Sequence, residues 1–485
     1  MSFAELDSTF KPYSIAVVGV SNNPFSGGYP FMRHLVHYKY KGQLYPINPG
    51  HSEAFGLPCY PSLKEVPGTV DFVICCIPAA KVLDLLDDCP GKQVKAVHMF
   101  TGRLTETGLE DNAALERNIL QRAKELGVRL IGPNCMGLYN PSQGISFGYE
   151  FPADAGPIGM FFQSGGAATE FVHYASLKGL RFSKMVSYGN AIDINETELL
   201  EYFCEDPETQ VIGCYIEGVK DGPGFVSALR CTAKTKPVVI LKAGRGKAGT
   251  RAVASHTASL AGSMKTWDAV INQCGATRAE TLEDLMDLMV GFRFLPPVMR
   301  RRVGIVGGGG GKSVLSADEW EEAGFELVPF PNEIRHEIKN SVPEMWWEWI
   351  QNPVDVSIMP ESAWMAGLPG NLLRMMAESP EFDLVVANLT VGGPFGKDEM
   401  TAFLGKEAED IVALHARNIK PLAVVLDTGD LGRDDFDDWR WRMLSDLKTR
   451  LVSSGVAVFP SIGQAAHTIS RCIDYYQRRE VLCEE

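Results

Sequence analysis

Short apolar runs alternate with amphipathic stretches along all 485 residues, and this alternation constrains the fold more than any other feature of the chain. Runs such as SIAVVGV at 14–20, VDFVICCI at 70–77 and PVVILK at 237–242 are too short for buried helices and too uniformly apolar for half-exposed strands. Strands of that kind, separated by helical segments, define a parallel α/β architecture.

Three blocks follow in series. The first reads as strand 14–20, a glycine loop, a helix near 29–40, strands 43–47, 70–77 and 94–100, a helix near 109–126 and a short strand ending at Ile131. The polar stretch from Pro141 to Pro157, with its glycines, reads as a linker. The second block holds strand 158–162, a helix after Ser164, strands 182–187, 210–216 and 237–242, and a helix near 281–293. Leu295-Pro296-Pro297 and the triplet Arg300-Arg301-Arg302 mark the next boundary. The third block has strands 303–307, 383–389, 421–426 and 456–459 and a helix near 462–478. The Trp-rich stretch 344–349 reads as a packed segment between elements.

Composition narrows the function classes. Hydrophobic residues are 45% and charged residues 22%, which excludes wholesale disorder. With 46 basic and 60 acidic residues the net charge is −14, so nucleic acid and anionic membrane are not expected partners. The eleven cysteines include no CxxC pair, which argues against zinc or a disulfide framework and for reduced thiols in the cytoplasm. No metal site is expected in the chain. Its first residues lack a basic and an apolar signal region, and no apolar run reaches the roughly 18 residues that span a bilayer.

The glycine loops carry the chemistry. From Gly19 to Gly28 a loop follows a strand and opens a helix, where free N–H groups cradle phosphate. A dinucleotide fingerprint needs glycine at 21 and 24; Ser21 and Pro24 stand there, which disfavours a nicotinamide dehydrogenase and leaves coenzyme A open. Ser21, Ser26, Gly27, Gly28, Asn48, Pro49, Ile77, Pro78 and Asn134 all fall at strand C-terminal ends, where open α/β sheets bind ligands. The run 307–313, GGGGGKS, fails as a P-loop because Val306 occupies the first glycine position. Gly309, Gly310 and Gly311 still open a helix, as do Ser164, Gly165 and Gly166, and two such helix ends point to phosphate as a ligand. His256 lies in a small-residue segment read as a movable loop, and its imidazole suits phosphoryl acceptance. Glu217, at the end of strand 210–216, is the candidate carboxylate to hold that ring.

These residues carry a resemblance. IAVVGVS at 15–21, YPINP at 45–49, IGPNCMG at 131–137, QSGG at 163–166, YGNAIDI at 188–194, YIEG at 215–218, SHTASLAGS at 255–263 and GGGGGKSVLSAD at 307–318 resemble the α subunit of NDP-forming acyl-CoA synthetases, the ADP-forming acetyl-CoA synthetase type of the succinyl-CoA synthetase superfamily. The resemblance implies a CoA-binding Rossmann-like domain at 1–145 followed by two flavodoxin-like domains. The first of these, 155–297, carries the phosphohistidine, and the second is 300–485. It implies reversible conversion of acyl-CoA, ADP and phosphate into carboxylic acid, coenzyme A and ATP. It further implies a separate ATP-grasp β subunit that binds ATP or ADP and Mg2+, hence a hetero-oligomer. Phe100 to Glu106, FTGRLTE, replaces the family's Gly-Phe pattern, so the acid is not copied from acetate users. The alternative is a CoA-binding regulatory protein of the same fold without turnover, which has no need of the His256–Glu217 pair.

Overall fold

Every strand of the first sheet runs the same way. β1 (Ser14–Val18), β2 (Gln43–Ile47), β3 (Phe72–Cys75), β4 (Ala96–Met99) and β5 (Arg129–Ile131) lie in the order β2-β1-β3-β4-β5, all parallel. The second sheet starts with β6 (Gly137–Tyr139), then β7 (Ile158–Phe162), β8 (Phe182–Ser187), β9 (Val211–Ile216), β10 (Val238–Lys242) and β11 (Thr277–Ala279). Its order is β11-β10-β9-β7-β8-β6, with only β6 antiparallel. The third holds β12 (Arg302–Gly307), β13 (Glu326–Leu327), β14 (Leu384–Thr390), β15 (Leu422–Asp427) and β16 (Ala457–Phe459), ordered β13-β12-β14-β15-β16 and parallel throughout. Leaving β6 aside, all three sheets share one winding. In each, the first strand lies between the second and the third, so the connections leave in opposite directions and open a crevice at its C-terminal end.

The computed structural model describes residues 3–257, 263–343, 350–391, 395–427 and 435–484. The chain divides into two compact units, Met1–Leu285 and Met286–Glu485. The Trp-rich stretch 344–349 lies outside the described residues. Among these, no helix is long and apolar enough to cross a membrane.

The strands are the apolar runs of the sequence, shortened at their ends. Run 14–20 pairs only through Val18, and Gly19 turns away with φ +89°. Run 70–77 pairs over Phe72–Cys75. Val20 and Val70, outside the paired residues of these runs, are buried all the same, so the hydrophobic pattern outlasts the hydrogen-bonded ladder. Helix α1 (Gly28–His37) crosses so close to β1 that a Cβ on Gly28 would meet Gly19 O at 2.7 Å and Val20 Cα at 2.8 Å. Both obstacles are backbone, which cannot rotate away.

The stretch Pro141–Pro157 is not a solvated linker. Ile145, Phe147 and Phe151 are buried. Phe151 packs on Tyr139 and Phe147 at ring-centroid distances of 5.1 and 5.3 Å, and Tyr139 Oη donates to Pro152 O at 2.6 Å. Aromatic burial pins this segment beside β6, and its prolines and glycines serve turns within a packed layer.

The Gly28 contact yields a stability test. Gly28→Ala is expected to destabilise the first unit by about 1–3 kcal/mol, the usual range for overpacking. Calorimetry should show a lowered transition for that unit; an unchanged thermal midpoint would mean that α1 and β1 yield without strain.

Candidate functional site

The first crevice lies at the ends of β1, β2 and β3. A cavity of about 600 Å3 is lined by Gly19, Asn48, Pro49 and Ile77 and also by Lys64 and Lys81. Ser21 Oγ accepts from the Asn23 N–H at 3.2 Å and Asn23 Oδ1 from the Phe25 N–H at 3.0 Å, which folds the loop on itself. The Ser26 hydroxyl is buried without a hydrogen-bond partner just before Gly27 and Gly28 begin α1. An orphaned hydroxyl at a helix N-terminus suits a phosphate oxygen. Asn48 lines the cavity and also braces the loops around it. Its Nδ2 donates to Val20 O at 2.7 Å and its Oδ1 accepts from the Gly50 N–H at 2.9 Å, so its amide clasps two loops together. Pro78 caps the short turn Ala79–Lys81. Asn134, in a left-handed conformation with φ 55°, donates its N–H to Thr101 O at 3.0 Å, and Thr101 Oγ1 donates to Ile77 O at 2.7 Å. The cavity lining joins Asn48, Pro49 and Ile77; Ser21, Ser26, Gly27, Gly28, Pro78 and Asn134 stand on the surrounding loops.

Lys64 and Lys81 were not singled out in the sequence. Lys64 pairs with Asp88 at 2.7 Å, while Lys81 is exposed in the turn after β3. The available signal was a lysine in each of two loops that follow strands at the ligand-binding edge.

The second crevice gathers the groups expected for phosphoryl transfer. Ser164 caps helix α2 (Gly165–Leu177), its Oγ accepting from the Ala167 N–H at 3.4 Å. Gly165 is required by proximity, because a Cβ there would come 2.5 Å from Met136 Cγ, whereas Gly166 faces open space. One strand away, Glu217 is 3% exposed. Gln163 Oε1 accepts from the N–H groups of both Glu217 and Gly218, at 2.7 and 3.1 Å, and so locks the end of β9 to the end of β7. Lys242, at the end of β10, donates from Nζ to Glu217 O at 2.8 Å. Burial pushes the Lys242 ammonium down to about 8, against the opposing pull of the Glu217 charge. In the sequence Lys242 closes an apolar run and opens the glycine-rich segment 242–247, and no role follows for it from that position alone.

The segment bearing His256 is not a loop at its start. Residues Lys247–Thr257 form helix α3, which follows β10 and lies beside the turn Thr105–Thr107. Alanines and long polar residues sustain it, and the single Gly249 weakens it without ending it. His256 falls in its last turn; the side chain, and residues 258–262, lie outside the described residues. Ser164–Gly166, Glu217 and the start of α3 therefore leave the same edge of one sheet, from β7, β9 and β10.

The third crevice belongs to the second unit. Gly307 and Gly308 take φ 117° and 87°, and Gly309 caps helix α4 (Gly310–Glu322). Asp355 is near this helix end: a Cβ on Gly310 would lie 3.1 Å from Asp355 Oδ2. Lys312 Nζ lies 3.3 Å from Asp427 Oδ2. Beside these glycines is a cavity of about 410 Å3 that includes Asn388, Trp364, Phe403 and the buried Glu407. Burial, with the like charge of Asp410, raises the Glu407 carboxyl to about 8.

A CoA-binding layer followed by a flavodoxin-like layer with a buried carboxylate and glycine-opened helices defines the class of acid–thiol ligases built like succinyl-CoA synthetase. Residues 13–141 match the CoA binding domain family and residues 155–292 the succinyl-CoA ligase like flavodoxin domain family. The chain is 34% identical over 384 residues to the α subunit of ADP-forming acetate–CoA ligase II of Pyrococcus furiosus, covering 79% of this chain and 82% of that protein. It is 36% identical over 362 residues to the α subunit of ligase I from the same organism, covering 73% and 77%. A solved structure of the dinucleotide forming acetyl-coenzyme A synthetase 1 of Ca. Korarchaeum cryptofilum, in complex with phosphate and ADP, superposes with a TM-score of 0.81 at 30% identity, covering 99% of this chain and 98% of that one. The chain belongs to the family of ADP-forming acetate–CoA ligase α subunits, and its function is that of an NDP-forming acid–CoA ligase rather than of an inactive CoA-binding protein.

Glu407 supplies a pH test. Its folded value lies above the ordinary 4.5, so the folded unit holds this proton where the unfolded chain has lost it. Stability from this group is therefore complete below about pH 4.5 and falls as pH rises toward 8. Glu407→Gln should flatten the decline of the second unit's thermal midpoint between those values; an undiminished decline would assign the pH dependence to other groups.

Proposed function

We infer that this chain binds coenzyme A in its first crevice and carries the phosphoryl group on His256 during reversible synthesis of ATP from acyl-CoA, ADP and phosphate. The observation supporting it most is the convergence of Ser164–Gly166, Glu217 and the start of α3 at one sheet edge. The orphaned Ser26 hydroxyl, the N–H groups of Gly27 and Gly28 and the Lys81 ammonium suit the phosphates of coenzyme A. Ser21, Asn48, Pro49, Ile77, Pro78 and Asn134 shape the loops around it.

In the ATP-forming direction, Ser164, Gly165 and Gly166 present N–H groups and a hydroxyl to inorganic phosphate. A phosphate oxygen bonds to the thioester carbon, the C–S bond breaks, and coenzyme A leaves as the thiol once protonated. An imidazole nitrogen of His256 then attacks the acyl phosphate phosphorus; the P–O bond to the acyl group breaks and the carboxylate departs. Glu217 holds the other ring nitrogen and stabilises the positive charge that forms. Gln163 and Lys242 fix Glu217 through its backbone, and Tyr215 Oη donates to its Oε1 at 3.5 Å. Gly309, Gly310 and Gly311 open the second helix end proposed for phosphate, in a site that also holds Asp355. ADP accepts the phosphoryl group, with Mg2+, on an ATP-grasp β subunit, so the working enzyme is a hetero-oligomer located in the cytoplasm. The domain limits proposed for these tasks are 1–145, 155–297 and 300–485.

Two measurements test this reading. The purified chain alone should bind coenzyme A yet form no ATP from acyl-CoA, ADP and phosphate; ATP formation without a second subunit would refute the division of labour. With acyl-CoA and labelled phosphate the chain should acquire an acid-labile, alkali-stable label, which His256→Ala abolishes. Glu217→Gln should retain some label and slow turnover by about 10²–10⁴. Acid-labile label on a folded His256→Ala protein would rule out this phosphoryl carrier.

A further inference from the structure

Glu196 carries a carboxyl group that the steps above leave unused. It is the first residue of the helix Glu196–Glu205 and is 0% exposed. Its Oε1 accepts from the Lys220 N–H at 2.6 Å, and its Oε2 is buried without a hydrogen-bond partner. Burial pushes this carboxyl above its ordinary range, against the opposing pull of the Lys220 N–H. A buried acid with one oxygen unmet destabilises a fold, and an apolar side chain in its place would not. Its presence points to a use beyond packing.

The bond to Lys220 supplies that use. Glu217 lies three residues before Lys220, just after β9 ends. The N–H groups of Glu217 and Gly218 go to Gln163 Oε1, the Glu217 carbonyl accepts from Lys242 Nζ, and the Lys220 N–H goes to Glu196. Gln163 and Lys242 thus fix the strand side of this turn, and Glu196 fixes the side that leads into the helix Gly222–Thr235. Glu196 itself stands on a firm base. Asn195 caps its helix, Oδ1 accepting from the N–H groups of Thr197 and Glu198 at 3.0 and 3.3 Å. Just before it, the N–H groups of Asn190, Ile192 and Ile194 bond to the carbonyls of Pro133, Gly132 and Leu130 at 3.0, 3.1 and 3.2 Å. The run 188–194 therefore ties the end of β5 to the helix whose first residue holds the Glu217 turn.

We propose that Glu196 is a positioning residue for the phosphoryl transfer: by holding the Lys220 N–H it keeps the turn 217–220 in the one arrangement in which Glu217 serves the imidazole of His256. Closed off from solvent, Glu196 touches no substrate and acts only through Glu217. Either protonation state of its carboxyl accepts from an N–H, so the role does not depend on its charge. Without this anchor the turn is free to shift, and a displacement of about 1 Å in a group that orients a reactant lowers a rate about a hundredfold. The inference rests on the phosphohistidine reading and adds one residue to it.

The test follows the rate at which the full chain gains acid-labile label from labelled phosphate and the fastest donor among acetyl-, butyryl- and phenylacetyl-CoA. Glu196→Ala should slow labelling about 10–100-fold, while the Kd for coenzyme A, read by calorimetry, stays within about twofold. Glu196→Gln keeps an acceptor for the Lys220 N–H and should label within about threefold of the unmodified chain. Glu196→Met, which fills the space without an oxygen acceptor, replaces the alanine variant if that one does not fold. A double-mutant cycle reads the route of the effect: added to Glu217→Gln, Glu196→Ala should slow labelling no further, because nothing is left for it to position. Equal factors in both backgrounds, or an undiminished rate in folded Glu196→Ala, overturn the inference and leave the phosphohistidine reading standing. A Glu196→Gln chain as slow as Glu196→Ala does the same. Acid-labile label on folded His256→Ala, or no label on the unmodified chain from any of the three donors, overturns the phosphohistidine reading and the inference with it.

Discussion

A parallel sheet ends all its strands at one edge, and each helix that follows must begin there. The first N–H groups of such a helix have no intrahelical partners, and their dipoles add to a partial positive charge. In this protein glycine marks such helix starts at Gly27–Gly28, Ser164–Gly166 and Gly309–Gly311. Glycine at these points lets the backbone come close, as Gly28 does against β1 and Gly165 against Met136. A chain with a net charge of −14 thereby presents positive potential to anions at selected places, largely through its backbone.

The second crevice shows how the fold fixes a carboxylate out of solvent at the end of a strand. Glu217 is placed by side chains from neighbouring strands, Gln163 from β7 and Lys242 from β10, both of which bond to its backbone. A buried lysine adjoining the carboxylate lowers the cost of holding a negative charge away from water, and its own proton affinity falls with burial. Locking the backbone in this way is what a residue needs if it is to hold another ring in one orientation.

The third crevice reaches the same topology with a different chemistry. Glu407 comes from the helix Lys397–Ala416 and is buried with the like charge of Asp410 near it, so the neutral acid is the stable form over most of the physiological range. Aromatic rings and an unmet amide oxygen share its cavity. One winding of the chain, repeated, thus supports a buried carboxylate braced through its backbone in one sheet and, in another, a cavity that combines aromatic rings and a neutral Glu407 with Lys312.

The strands, the glycine loops and the helix starts were legible in the sequence because each is a local pattern: an apolar run, then residues that permit a turn, then a helical period. The motifs at 163–166, 215–218 and 307–311 were read at the places where the sheets end. Other features depended on residues brought together over long distances along the chain. The bond from Gln163 to Glu217 spans 54 positions, and the cavity of the second unit joins Gly308 to Glu407. The packing of 141–157 depends on aromatic partners in β6 and α2, and the beginning of the His256 segment is helical where small residues suggested a loop. Sequence alone determined where the backbone could turn and expose its N–H groups, since that follows from the residues in hand. Which side chains close around a carboxylate or an acceptor was decided only by the tertiary structure, because burial and partnership are properties of neighbours in space.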